Sequence, residues 1–251
     1  MDELSKEYLT KKFIEACEKG VVKYFPKILK IIEIPPFKIL VVPPGMIKKR
    51  EQRPKRNVDE ILKKWQREIV LTIQNKREWG IVPNQYSFLP FHFLIVPLKK
   101  GRVERKPQKI TKNNLEEMIE IEKVLKEGRI LFNSLGAGAT LDCLHFHLHF
   151  YEFPIERTSE YPVKIKEFSI NEKDRICAFI EKLEKKKIGF NLLISPSKVF
   201  VFPRRKEKAK VLVERKIGVA EVAGLWIIDK TLITEVLTEK IKELIFPLDS
   251  L

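Results

Sequence analysis

The chain has 251 residues, with 49 lysines and arginines against 34 aspartates and glutamates, a net charge of +15. Its 44% of hydrophobic residues can fill a sizeable core, and its 33% of charged residues read as the surface of a soluble globular protein. Cys17, Cys143 and Cys177 are odd in number and far apart, which suggests neither a disulfide framework nor a zinc knuckle.

No apolar run approaches the roughly 18 residues of a membrane span, and the acidic start, Met1 to Lys6, lacks the apolar stretch of a secretory signal. The cytoplasm is therefore the expected compartment, and no membrane is expected as a partner. The Lys and Glu content resembles that of proteins from hot environments, so part of the charge is a solvated surface. The positive excess still suits an anionic partner: a nucleic acid, an anionic membrane or a polyanionic small substrate.

Apolar residues at Leu4, Tyr8, Leu9, Phe13, Ile14 and Cys17 predict a helix over 3–19, ended by Gly20. Phe25 to Val42 reads as strand, interrupted by Pro35-Pro36 and closed by Pro43-Pro44-Gly45. Residues 48–56 carry six basic side chains, read as a solvated loop with an anion-facing arm as the functional alternative. Val58 to Trp65 predicts one or two helical turns, and Ile69 to Ile73 a strand. Phe88 to Pro97 is an almost continuous apolar run punctuated by Pro90 and Pro97, a buried strand with His92 near its start. After the basic segment Lys99 to Lys109, Asn114 to Glu127 reads as an amphipathic helix ended by Gly128, and Arg129 to Asn133 as a strand. Asp174 to Lys187 and Thr231 to Ile245 are further helical segments. Val199 to Lys206 echoes His92 to Lys99, each a buried strand ending in proline and basic residues, which suggests a weak internal duplication.

The stretch from 133 to 151 carries the chemistry. Three of the chain's four histidines, His145, His147 and His149, alternate with Leu144, Phe146, Leu148 and Phe150. That is the period of a half-buried strand, so the imidazoles share one face. Upstream, Ser134 to Thr140 with Gly136 and Gly138 is a small-residue turn whose backbone can approach a ligand, as phosphate oxygens require. A row of imidazoles can supply a nucleophile together with partners that fix its tautomer. Three histidines can also bind zinc, but a metal site has no use for the small-residue loop, and a purely structural strand seldom carries three imidazoles.

The run Asn133-Ser134-Leu135-Gly136-Ala137-Gly138-Ala139-Thr140-Leu141-Asp142-Cys143-Leu144-His145-Phe146-His147 resembles the histidine-triad superfamily. Within it, the run is most similar to the GDP-sugar phosphorylase branch, the GDP-L-galactose and GDP-D-glucose phosphorylases. Phe153-Pro154-Ile155-Glu156, Gly189 to Ser195 and Glu221 to Gly224 continue the likeness over roughly residues 84–230. Two positions depart from the branch: Cys143 stands where it has its first histidine, and His147 where it has glutamine. Alignment of the loop makes His145 the nucleophile, whereas the general triad pattern would make it His147; the loop alignment is favoured because it fixes the distance to the phosphate cradle.

The resemblance implies an α+β fold, an antiparallel sheet with helices, built from two triad-like halves as in the galactose-1-phosphate uridylyltransferase group. It divides the chain into an N-terminal segment (1–83), a half with the histidine motif (84–160) and a half without catalytic histidines (161–251). It implies a nucleotidyltransferase acting through a nucleotidyl-histidine, most simply phosphorolysis of a GDP-hexose to GDP and hexose 1-phosphate. Its catalytic residues are His145, His147 and His149, and its substrate contacts come from Asn133, Ser134, Gly136, Ala137, Gly138, Thr140, Cys143 and His92. The amides of Gly136 to Ala139 would stabilise charge on the phosphate oxygens. No cofactor or metal is required. Partners are a nucleoside diphosphate sugar and phosphate, and a homodimer is among the assemblies the resemblance implies.

The histidine at 147 raises a nucleotide hydrolase as the alternative. Two further readings lie outside catalysis. A nucleotide sensor with a decayed triad is motivated by Cys143. A nucleic-acid module is motivated by the charge but lacks the aromatic clusters of single-strand binders, so nucleic acid is not the expected partner.

Overall fold

The computed structural model describes residues 5–23, 27–43, 57–205, 217–229, 242 and 245. The basic arm 48–56, Lys206, Lys208 and nearly all of the segment Thr231 to Ile245 lie outside the described residues.

The chain is α+β. Its main sheet is antiparallel and runs in the order β3 (Leu71–Gln74), β4 (Glu78–Pro83), β5 (Phe93–Lys99), β8 (Phe146–His149), β7 (Arg129–Asn133), β10 (Phe190–Ile194), β11 (Lys198–Pro203), β9 (Lys166–Ser169), with the short β6 (Arg102–Val103) beside β5. A smaller sheet joins β1 (Lys30–Ile34), β2 (Phe37–Val42) and β12 (Leu225–Asp229). The helices are α1 (Lys6–Glu18), α2 (Val58–Glu68), α3 (Lys112–Leu125), α4 (Lys173–Lys185) and the single turn α5 (Val219–Val222).

The layers follow from the period of two along each strand. Phe146 and Leu148 of β8, Ile130 and Phe132 of β7 and Leu192 of β10 face Leu115, Met118, Ile176 and Ile180 of α3 and α4. Leu131 and Leu193, one residue out of phase, face Ile39, Val41, Leu225 and Ile227 of the small sheet. Ile61 and Trp65 of α2 cover Val82, Leu94 and Val96 near the opposite edge. Each fully buried side chain of this size adds about 1.5–3 kcal/mol, so register is strongly specified.

The central strand order β5-β8-β7-β10-β11-β9 is a palindrome in which α3-β7-β8 corresponds to α4-β10-β11. The topology thus makes β11 the counterpart of the histidine strand β8, and β9 the counterpart of β5. The sequence echo between Val199 to Lys206 and His92 to Lys99 pairs strands that this topology keeps apart. β7 and β10 join the two sides in register, Leu131 opposite Leu193, and β3 and β4 extend the same sheet from before residue 84.

Other departures have local causes. Within the strand-like stretch 25–42, residues 30–42 form a hairpin, because Pro35-Pro36 makes the turn between β1 and β2. The run from Phe88 enters its strand only at Phe93: Phe88 to Phe91 turn first, with Phe91 at φ 56°. The helix at 58 continues to Glu68, capped by the Asn57 side chain accepting from the Asp59 N–H at 2.9 Å. β4, β6, β9, β10 and β12 were not anticipated as strands.

α3 buries a carboxyl group, Glu122, with no hydrogen-bond partner for either oxygen among the described residues. Burial, opposed by the Arg129 charge, pushes its pKa from 4.5 up to about 7. A carboxyl held above its unfolded value favours the folded state at low pH and loses that contribution as pH rises through the folded value. Glu122→Gln is therefore expected to raise stability above neutral pH by up to about 3 kcal/mol. The gain should fade toward pH 4–5, about where the unfolded carboxyl titrates, as thermal melts across this range will check.

Candidate active site

β8 sits between β5 and β7, with His147 opposite both Leu94 and Leu131, and His149 opposite Arg129. Because Phe146 and Leu148 point to the helices, the imidazoles emerge on the other face. His92, just before β5, joins them, so all four histidines of the chain form one row. Ring centroids are 5.1 Å apart between His145 and His147, 5.1 Å between His147 and His92, and 4.1 Å between His92 and His149.

The rings differ in what they can do. His145 Nδ1 lies 2.8 Å from the Cys143 carbonyl oxygen. A carbonyl can only accept, so Nδ1 carries the proton and the lone pair is on Nε2. Burial, opposed by that hydrogen bond, lowers the His145 pKa below 6.5, which keeps the ring neutral and nucleophilic at physiological pH.

His147 is half-buried. Its Nδ1 is 2.9 Å from His92 Nε2, and its Nε2 is a long 3.4 Å from the Asn133 side-chain amide nitrogen. The Val219 N–H donates to the other end of that amide at 2.9 Å, so this end is the oxygen and the nitrogen is the donor toward His147. In the neutral ring the lone pair then faces Asn133 and the Nδ1 proton faces His92.

His149 lies at the buried end of the row. It is fully buried against His92, Phe88 and Phe153, with ring centroids 4.1, 4.9 and 6.3 Å away. Neither ring nitrogen has a partner among the described residues, and burial drives its pKa down to about 3. It is a neutral core ring. His92 is also fully buried, and it meets His147 instead of presenting itself to a ligand.

The small-residue turn is built from the inside. The Ser134 Oγ accepts from the Phe190 N–H at 2.8 Å, and the Ser134 carbonyl accepts from the Ala137 and Ala139 amides at 3.0 and 3.4 Å. Those two amides, expected to face phosphate, are thus engaged in the turn, and the Ala137 methyl is fully buried. Gly136 and Thr140 are exposed, while Gly138 is half-buried at φ 98°. A Cβ on Gly138 would stand 2.6 Å from the Ile217 oxygen, so this position admits only glycine. Cys143 does not bring its thiol to the site: the side chain packs with Trp65, Val82 and Leu94, burial pushes it up to about 11, and its carbonyl is what serves His145.

Sequence reasoning missed three braces. Gln108 accepts from the His145 N–H at 3.0 Å and donates to the Asn133 and His145 carbonyls at 2.9 and 3.3 Å, bridging the gap where β7 and β8 diverge. Asn191 donates to the Asn133 side-chain oxygen at 2.7 Å and to the Ala137 carbonyl at 2.6 Å. Arg204, among the basic residues that end the Val199 to Lys206 run, is buried and donates to the Asn191 oxygen at 2.6 Å and the Ile217 carbonyl at 2.9 Å. A chain of polar contacts therefore runs from Arg204 through Asn191 and Asn133 to His147. Among the described residues no group of three His, Cys, Asp or Glu side chains is arranged to hold a metal ion, and no helix is long and apolar enough to cross a membrane.

The fold has a counterpart among solved structures. It is shared with yeast Ap4A phosphorylase Apa2, matched over 96% of this chain and 94% of that one at a TM-score of 0.68 and 14% identity. The same enzyme in complex with Ap4A gives a TM-score of 0.69 at 13% identity, and in complex with AMP 0.71 at 15%, each over 96% of this chain and 97% of that one. No family model and no curated protein matches the chain in sequence.

Proposed function

We propose that this protein is a nucleotidyltransferase that works through a nucleotidyl-His145 intermediate and phosphorolyses a nucleoside diphosphate derivative. The observation that carries the reading is the Nδ1–H of His145 tied to the Cys143 carbonyl, which leaves Nε2 as the reactive nitrogen. The Nε2 lone pair attacks the α-phosphorus, the bond to the leaving phosphate oxygen breaks, and that oxygen departs with the electron pair. An oxygen of inorganic phosphate then attacks the same phosphorus, and breaking the N–P bond returns the lone pair to Nε2. His147, held at Nδ1 by His92, donates to a phosphate oxygen through Nε2 once that nitrogen is protonated and its long contact with Asn133 gives way. Gly136, Gly138 and Thr140 are the loop positions open to the substrate.

The motif favours a GDP-hexose as substrate, giving GDP and hexose 1-phosphate. The likeness to an Ap4A phosphorylase makes a dinucleoside polyphosphate the competing choice, with the same chemistry at the α-phosphorus. Hydrolysis is the second reading, favoured by His147 at the position where the resembling phosphorylases have glutamine. Chromatography of products after incubation with each substrate and phosphate discriminates among these. A nucleoside diphosphate formed only with phosphate present supports phosphorolysis, and a nucleoside monophosphate formed without it supports hydrolysis. No turnover of any such substrate sinks both.

A further inference from the structure

We propose that Trp65 is a positioning residue for His145: its indole roofs the imidazole and keeps water from it, so that the ring meets substrate as a neutral nucleophile. The inference rests on the reading of His145 as nucleophile and adds to it a residue from a different part of the chain.

The geometry is built for the purpose. α2 presents Ile61 and Trp65, one helical turn apart, as its only fully buried side chains, at 6% and 7% exposure. They pack on Val82, Leu94, Val96, Leu98 and Cys143. Trp65 reaches past this cluster to lie 5.8 Å from the His145 ring, tilted by 51°. Gln66 locks the helix in place, donating to the Gly101 carbonyl at 3.0 Å and accepting from the Val103 N–H at 2.6 Å. His145 is left 4% exposed.

The surroundings of the ring hold no competing charge among the described contacts. On α2, Asp59, Glu60, Lys63 and Arg67 are exposed, and Lys64 pairs with Glu68 at 3.5 Å. On the segment carrying Gln108, Arg105 pairs with Asp59 at 3.5 Å and Lys106 with Glu104 at 2.9 Å. From β8 the facing titratable group is His147, 5.1 Å away, and the nearby Cys143 thiol stays protonated. What burial does to the ring is therefore the leading influence on its protonation, and it acts to lower it. The Cys143 hydrogen bond acts in the opposite sense, so removing apolar cover moves the ring toward the charged form.

Imidazole proton NMR titration of the full chain, with the His145 signals assigned by their loss in His145→Gln, tests this without any substrate. In Trp65→Ala the His145 midpoint is expected to rise toward 6.5, the ordinary imidazole value, as the apolar cover is lost. The acid limb of the kcat/KM profile should move up with it, so that the variant loses several-fold more activity near pH 6 than near pH 8. Trp65→Phe, which keeps an apolar ring over the site, should retain the wild-type midpoint. Should the alanine variant not fold, Trp65→Gln carries the same expected rise. A folded variant whose His145 midpoint is unmoved overturns the positioning role. Failure of the underlying reaction is separate and would appear as a wild-type protein that forms no nucleotidyl adduct.

Discussion

His145→Ala is expected to lower kcat/KM for nucleotidyl transfer by on the order of 10⁴ or more, the scale of loss when a covalent nucleophile is removed. Its backbone contacts to Gln108 survive the substitution, because they use the main-chain N–H and carbonyl. The loss should therefore come with little change in fold. His149→Ala should do the opposite. It removes a buried ring packed against His92 and Phe88 and leaves a cavity costing about 2–4 kcal/mol, while the variant still accepts a nucleotidyl group. Steady-state rates measured beside thermal melts separate the two. If His147→Ala, and not His145→Ala, abolishes the covalent step, the general triad register is the right one and the loop alignment is wrong.

Asn133→Ala should damage both stability and activity. The side-chain oxygen accepts from the Val219 N–H and the Asn191 amide, at 2.9 and 2.7 Å, and its nitrogen faces His147. Truncation orphans buried donors at about 1–3 kcal/mol each, so a total near 2–4 kcal/mol is expected, with Tm falling by roughly 2–4 °C per kcal/mol in a chain of this size. Release of His147 should lower kcat by about 10-fold or more. Asn133→Asp sharpens the test. It keeps an oxygen for Val219 and Asn191 but places a carboxylate against His147 Nε2, which favours the imidazolium. The pH profile of this variant should change more than its melting temperature. Equal losses of stability and unchanged rates in both variants would show that Asn133 holds only the fold.

Much of the site was legible because it lies in one stretch with a strong period. Alternation from Leu144 to Phe150 placed the imidazoles on one face, whereas His92 came to the site only through the family resemblance, since the apolar run after it does not say which strand it adjoins. The alternation could not tell a half-buried imidazole from a fully buried one: His149 keeps the period but is fully buried, with Phe88 and Phe153 against it. The turn from Ser134 to Thr140 was recognised by its small residues, yet small residues alone do not say whether amides face a ligand or the turn itself. Gln108 gave no signal, and Asn191 entered only as one residue of the likeness over Gly189 to Ser195, since a single amide side chain in a loop or strand has no period, and its role depends on where three distant segments meet. Trp65 looked like the end of a short helical piece, because nothing local revealed that α2 continues to Glu68 and folds over β5. The parallel pairing of β12 with β2 joins segments nearly two hundred residues apart by their numbering, and short-range pattern does not carry that information.

The measurement that tests the central claim most directly is the intact mass of the protein after mixing with a nucleoside diphosphate derivative in the absence of phosphate. GDP-glucose and Ap4A are the two substrates to use, with a quench that avoids acid. The account predicts a mass increase of one nucleotidyl group that is absent in His145→Ala, present in His149→Ala, and discharged as nucleoside diphosphate when phosphate is added. An unmodified protein that nevertheless converts substrate to product, or an adduct that persists in His145→Ala, would contradict it.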